Sequence, residues 1–447
     1  MVRRLIVALL KLAMRVYFRR VEVGGVEHVP MKKPVIFVLN HPNALVDPAV
    51  LLCMAPRRVS FLAKAPLFRI PVLGLFVRAM DSLPVYRQQD QGEDVARNVE
   101  TFVAARRLLA QGGTIGICPE GVSHNEPRLR PIKTGAARIA LAAVATGEVS
   151  ELQIVPAGLY YTSKSTFRSK ALLYFGKAID VPVVTLDQEG NPNRTDVREL
   201  SGRIEYALRN VILEAEHDDA LHTIARAERI FSAEGPAESQ DSLKMELQLQ
   251  KRFLKAYAVL RHQLPERLRK LEVRIIRFEE ELKHTGVDPH ELTAPGSTLN
   301  TLGHLLSRVL LFMVLLPGAI VGTVVHYPAY RLGGLLATRF SRDSEDVIST
   351  IKIISAMLLF PLTWLVVAVF FYKRSGWLIA LAVLVILPLT GYFAIRFFEE
   401  LDRFVGSLRA LTFFLTRRRF FVRLLAQRKA IRDEILALGD EAARFAE

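Results

Sequence analysis

A histidine and an aspartate spaced so that they could share a proton are the first feature of this chain able to do chemistry. The apolar run Pro34 to Leu39 stops at Asn40-His41-Pro42-Asn43, and Asp47 follows before apolar residues resume. His41 precedes a proline, which biases it to extended backbone, so it belongs at a strand end. Residues six apart lie roughly 120° apart around a helix, so the two cannot face each other on one regular helix. An aspartate in the first turns of the next helix can instead fold back onto the ring. It would hold one imidazole nitrogen protonated and leave the other as a general base. Taken alone, the spacing also fits a polar strand-to-helix loop with a capping residue.

A second stretch, "GTIGICPEGVSHNEPRLRPIKTGAARIAL", runs from an apolar strand through Pro119-Glu120-Gly121 and a basic loop into a helix starting near Lys133. Such loops present backbone N–H groups and a positive dipole end to anions, although "PEG" by itself reads as a turn. Other groups say less. His217 to His222, "HDDALH", holds metal-capable residues but reads as a solvated charged helix. Lys64 reads as a snorkelling surface lysine, and Ser163 and Ser165 lack the His-Asp context of a serine hydrolase. Cys53 and Cys118 are the two cysteines, so no disulfide framework or cysteine-rich zinc site is expected, and a reducing cytosolic face fits.

The elements that must position these residues alternate between strand and helix from about 21 to 230. Strands are expected at 34–39, 58–63, 82–87, 113–119, 152–161 and 171–179, with helices over "EDVARNVETFVAARRLLAQGG" and "KTGAARIALAAVATG". That alternation predicts an α/β domain with a largely buried sheet. Residues 231–300 read as a charged helical arm, a hairpin broken at Pro265. Residues 1–20 are basic and acid-free, and at helical period they suit an amphipathic helix lying in anionic headgroups. Residues 401–447 form a further basic helical tail.

Composition places the chain at a membrane. A hydrophobic content of 51% beside 23% charged residues implies segregation, and the apolar residues gather late. Runs 309–330, 353–372 and 375–395 contain no Asp, Glu, Lys or Arg, and each approaches the ~20 residues that span a bilayer. The last two read as a hairpin with a basic turn at Lys373-Arg374. The first contains Pro317, Gly318, His326 and Pro328 and reads either as a span or as a bent, re-entrant or interfacial segment. Because a cytosolic domain and a cytosolic Arg-rich tail require an even number of crossings, the simplest expectation is that it does not fully cross, with an outward-facing tail as the alternative. The net charge of +15 calls for an anionic partner. Because the basic residues flank membrane segments, anionic lipids are expected, and nucleic acid is not.

Taken together, "NHPNALVDP", "SLPVYR", "CPEGVSH" and "IVPAGL" resemble, in order, the four sequence blocks of the glycerophospholipid acyltransferases, beginning with their His-x4-Asp motif. The resemblance covers roughly residues 34 to 160. It implies an α/β acyltransferase domain, a mixed sheet flanked by helices, followed here by an α-helical membrane-embedded region over 301–400. It also implies transfer of an acyl chain from acyl-CoA or acyl-carrier protein to a glycerol hydroxyl, with no metal or cofactor. His41 matches the general base and Asp47 its orienting partner. Arg87 matches the residue that binds the acceptor's phosphate, and Glu120 and Gly121 match the third block, with Glu120 orienting the acceptor hydroxyls or Arg87. Pro156 matches the fourth block, expected to shape the acyl site. Asn40, Asn43, Ser123 and Lys133 complete the expected substrate-binding set.

Two departures stand out. Five residues, not four, separate His41 from Asp47, and Val122-Ser123 replaces the usual Thr-Arg, with Arg128, Arg130 and Lys133 as candidates to substitute for the missing arginine. These variants resemble the larger membrane-anchored glycerol-3-phosphate or dihydroxyacetone-phosphate acyltransferases. Glycerol 3-phosphate is therefore the expected acceptor, with a 1-acylglycerol-3-phosphate acyltransferase as the alternative, and with a thioesterase or lipid hydrolase and a non-catalytic membrane adaptor as readings of other classes. The catalytic domain is expected on the cytosolic face of the inner or plasma membrane.

Overall fold

The computed structural model describes residues 2–71, 73–90, 92–233, 242–287, 289, 292, 298–341 and 344–446. They form two compact units, one of residues 1–216 with 341–353, the other of 217–340 with 354–447.

The first unit is built on a mixed sheet. Its strands are β1 (Arg20–Gly24), β2 (Val35–Leu39), β3 (Ser60–Lys64), β4 (Leu83–Val85), β5 (Thr114–Ile117), β6 (Gln153–Tyr161), β7 (Lys170–Phe175) and β8 (Ile179–Asp180). The order is β1-β7-β6-β2-β5-β3-β4, with β8 also on β6. The β2, β5, β3 and β4 region is parallel, and β7 and β8 run antiparallel to β6. Every residue of β2 is buried, as a central parallel strand requires. Its alternation splits two cores. Val35, Phe37 and Leu39 face one cluster with α1 (Val2–Tyr17) and α2 (Val46–Met54), whereas Ile36 and Val38 face another with α4 (Asn98–Ala110), α5 (Gly135–Ala145) and α6 (Arg194–Arg209). A short helix α3 (Leu73–Ala79) lies between β3 and β4 in sequence. Pro156 falls between the stretch of β6 that pairs with β8 and the stretch that pairs with β7, so the missing proline N–H leaves no ladder bond unmade there.

Helix α1 is amphipathic in a way the sequence reading captured only in part. Leu10, Met14 and Tyr17 are buried in the first core, while Leu5, Leu9 and Leu12 remain exposed beside the basic residues. One apolar face serves the fold, and the other faces outward.

The second unit is helical. It opens with α7 (Asp218–Ser232), followed by α8 (Leu243–Gln263) and α9 (Pro265–Thr285). The expected break at Pro265 is the first residue of α9, where a missing N–H costs nothing. Residues 234–241, 288, 290–291 and 293–297 of the expected arm lie outside the described residues. The expected domain boundary at 230 moves to 216, because Ala227 and Ile230 of α7 are buried with α9 and with the tail helix α13 (Arg418–Ala446).

Between them run α10 (Thr298–Phe340), α11 (Glu345–Ser375) and α12 (Trp377–Thr416), in each of which a long apolar helical stretch is sufficient to cross a membrane. Run 309–330 lies within the continuous helix α10. Pro317 and Pro328 sit inside one continuous helix, a placement that apolar helices tolerate when neighbours pack against them. Lys373 and Arg374 close α11, and Gly376, with φ of 87°, makes the turn to α12. Helix α12 packs closely on α10. A Cβ at Gly322 would stand 2.0 Å from the Thr390 carbonyl oxygen, so only glycine permits that approach.

Glu228 of α7 is buried beside Glu246, and burial, followed by that neighbouring charge, pushes its carboxyl up to about 7. A carboxyl whose pKa rises on folding favours the folded state below the unfolded pKa, and that contribution disappears between about 4.5 and about 7. Glu228→Gln is therefore expected to be near-neutral at pH 5 and to stabilise at pH 8 by up to about 3 kcal/mol. Thermal unfolding at the two pH values reads this directly, and an equal effect at both would show that Glu228 does not titrate in this range.

Candidate active site

His41 and Glu120 follow the C-terminal ends of two adjacent parallel strands, β2 and β5, the edge at which open α/β sheets bind ligands. The chain leaves β2 under close control. The Asn40 side chain acts as a substitute peptide, donating to the Leu159 carbonyl at 3.1 Å and accepting from the Leu159 N–H at 2.8 Å. Ala44, with φ of 37°, bends the loop into α2, whose first turn carries Asp47.

His41 Nδ1 lies 2.9 Å from Asp47 Oδ2. The carboxylate can only accept, so Nδ1 carries the proton and Nε2 is left as the base. Asp47 is fully buried, and its cost of burial is offset by two further donors, the Asn43 N–H at 2.7 Å and the Tyr161 hydroxyl at 2.7 Å. Burial, then the Asp47 charge, pushes the Tyr161 phenol well up, so it keeps its proton and donates. The ring of His41 is 19% exposed and open to a ligand.

Glu120 is turned inward. It accepts from the His41 N–H at 3.0 Å, from the Arg130 N–H at 2.9 Å and from His124 Nε2. His124 Nδ1 accepts from the Glu126 N–H at 3.2 Å, which leaves Nε2 as the donor to Glu120. The His124 N–H in turn reaches the His41 carbonyl at 3.2 Å. Glu120 thus braces the backbone of His41 from the neighbouring strand.

Arg87 forms a two-pronged pair with Asp90, 2.8 Å from Nε and 2.7 Å from Nη2, and its Nη1 donates to the Gly121 carbonyl. The Arg87 hydrogen bonds hold the Asp90 carboxyl below its ordinary range. Gly121 has φ of 76°, and a Cβ there would stand 2.8 Å from Lys133 Nζ. Lys133 is therefore brought beside Gly121, whereas the Arg130 side chain turns to Glu126 at 2.9 Å. Asn43 is buried, and its Nδ2 donates to the Lys164 carbonyl at 3.2 Å. Ser123 donates to Asp346. Cys118 follows β5, and burial, then Asp47 and Glu120, pushes its thiol well up.

The sequence reading missed His124, Tyr161 and Asp346. His124 stands four residues beyond Glu120, a visible but nonspecific signal. Tyr161 and Asp346 lie 114 positions from Asp47 and 223 positions from Ser123, and neither separation carries a local signature.

Residues 20–160 match the Acyltransferase family model, and residues 223–443 match that of the Glycerol-3-phosphate acyltransferase 2 C-terminal domain. An acyltransferase from Schizosaccharomyces pombe is 24% identical over 88% of this chain and 74% of its own length. Glycerol-3-phosphate O-acyltransferase 1 of Saccharomyces cerevisiae is 24% identical over 81% of this chain and 60% of its own. A 1-acyl-sn-glycerol-3-phosphate acyltransferase of Borreliella burgdorferi is 31% identical over 32% of this chain and 52% of its own. The chain thus spans between half and three quarters of the length of these relatives. Over residues 20–160 the chain is thus similar to the acyltransferase family, and behind them it is similar to the Glycerol-3-phosphate acyltransferase 2 C-terminal domain.

Proposed function

We propose that the protein transfers a fatty acyl group from the thioester of acyl-CoA or acyl-carrier protein to a hydroxyl of glycerol 3-phosphate. The observation that carries this reading is the His41–Asp47 pair, with Nδ1 committed at 2.9 Å and Nε2 available. Nε2 takes the proton of the acceptor hydroxyl as its oxygen attacks the thioester carbonyl. The tetrahedral intermediate collapses, the C–S bond breaks, and the departing thiolate takes the proton back from His41. No covalent acyl-enzyme is needed, because a thiolate is a good leaving group and a positioned base supplies ~10² to 10⁴-fold. Arg87, backed by Asp90, and Lys133 beside Gly121 supply the positive charge for the acceptor's phosphate.

Glycerol 3-phosphate is favoured over the monoacylated acceptor because similarity to a glycerol-3-phosphate acyltransferase runs through both halves of the chain. The monoacylated reading draws on a match confined to about a third of it. In this reading the protein resides in a membrane, and the catalytic unit faces the cytosol, where the acyl donor is supplied. The core shared by the arm helix α9 and the tail helix α13 supports a reading in which both ends of the segment α10 to α12 lie on one side of the membrane, with an even number of crossings.

The test is an acyl-transfer assay that offers glycerol 3-phosphate, dihydroxyacetone phosphate and 1-acylglycerol 3-phosphate in parallel. Highest kcat/KM for glycerol 3-phosphate is expected. A clear preference for the monoacyl acceptor would replace the substrate, and release of free fatty acid without any acceptor would replace transfer by hydrolysis.

A further inference from the structure

The helix that begins at Glu345 becomes apolar after about two turns, yet its opening turns carry Asp346, Ser349 and Lys352. Their spacing by three puts them on one face. Asp346 and Ser349 are buried, Ser349 completely. Polar groups buried ahead of an apolar helix are destabilising unless partnered, and each of the three has a partner in the catalytic unit. Asp346 accepts from Ser123. Ser349 donates to the Lys164 carbonyl, so its hydroxyl oxygen receives the Tyr17 hydroxyl at 2.8 Å. Lys352 Nζ donates to the Ser165 carbonyl at 2.7 Å.

These contacts land on the two loops that frame His41. Ser123 lies between Glu120, which holds the His41 N–H, and His124, whose own N–H holds the His41 carbonyl. Lys164 offers the same carbonyl to Asn43 inside the catalytic loop, and the strand leading to it ends at Tyr161, which donates to Asp47. One helical face thus anchors the loop on each side of the His-Asp pair, although its residues lie within the stretch matched by the C-terminal-domain family.

We infer that Asp346 and Ser349 are positioning residues of the acyl-transfer centre, holding the 120–124 and 161–165 loops so that His41 Nε2 is aimed at the acceptor hydroxyl. The inference rests on the acyltransferase reading above. A segment far along the chain therefore completes the catalytic unit, which gives a physical reason for the two matched regions to occur together.

The test uses the full chain in detergent, with a long-chain acyl-CoA and glycerol 3-phosphate. Asp346→Ala and Ser349→Ala are each expected to lower kcat about tenfold, with the acceptor KM within twofold. Asp346→Asn, which keeps an oxygen for the Ser123 hydroxyl, should retain most of the activity. Asp346→Ala combined with Ser123→Ala should be no worse than the poorer single variant, as members of one contact require. If the alanine variants do not fold, Ser123→Ala alone removes the same bond from the loop side and should show the same fall in kcat at unchanged KM. An active wild type whose alanine variants keep kcat within twofold would overturn the inference. So would a change confined to KM, which marks a substrate contact, or an Asp346→Asn as impaired as the alanine, which marks a need for charge. A wild type inactive with every acceptor overturns the proposed activity itself, and with it the centre these residues would position.

Discussion

His41→Ala is expected to lower kcat for acyl transfer by about 10³-fold, within the range of ~10² to 10⁴ that a positioned base contributes. The acceptor KM should change little, because Arg87 and Lys133, proposed to meet the acceptor's phosphate, remain. The fold should survive, since the ring is partly exposed and its removal leaves Asp47 with the Asn43 and Tyr161 donors. Steady-state kinetics and thermal unfolding on the same preparation separate these effects. Transfer at the wild-type rate by a folded His41→Ala protein would end the catalytic assignment.

Asp47→Asn should damage both catalysis and stability. Three donors converge on this carboxylate, from His41, Asn43 and Tyr161. An amide offers one oxygen and turns an NH2 group toward the rest, so at least one buried donor loses its partner, at a cost of about 2–4 kcal/mol in stability. An amide N–H facing Nδ1 also favours the tautomer with the proton on Nε2, where the base must be empty. Together these predict a loss of about 10² to 10³-fold in kcat. A variant with wild-type kcat and only a lowered unfolding midpoint would mean that Asp47 serves the fold and not the base.

Much of the catalytic domain was legible in the sequence because it depends on near neighbours. The all-apolar Val35–Leu39 run marks a central strand, and the His41-Pro42 dipeptide ends it. The Pro265 break between two charged helices was readable for the same reason. What the prolines of run 309–330 do was not legible locally, because their effect on a helix depends on the packing around them, and here the helix continues through both.

The roles within the site were less legible. Arg87 and Glu120 could be named from their blocks, yet Arg87 is gripped by Asp90 and Glu120 supports backbone, and neither partner choice is written in local spacing. Asn40 and Asn43 belong to the expected substrate-binding set, yet in the structure the Asn40 amide and the Asn43 Nδ2 are tied to the backbone at Leu159 and Lys164.

The sequence by itself determined the alternation of elements, the apolar segments and the position of a His-Asp pair at a strand end, all set by propensity and periodicity over a few residues. Only the tertiary structure decided that Tyr161 and His124 close the network, that the first unit ends at 216, and that Asp346 and Ser349 belong to the catalytic unit. Those contacts join residues more than a hundred positions apart in the cases of Tyr161 and Asp346. Their formation depends on how whole elements bury their apolar faces, which brings together polar groups that no local pattern pairs.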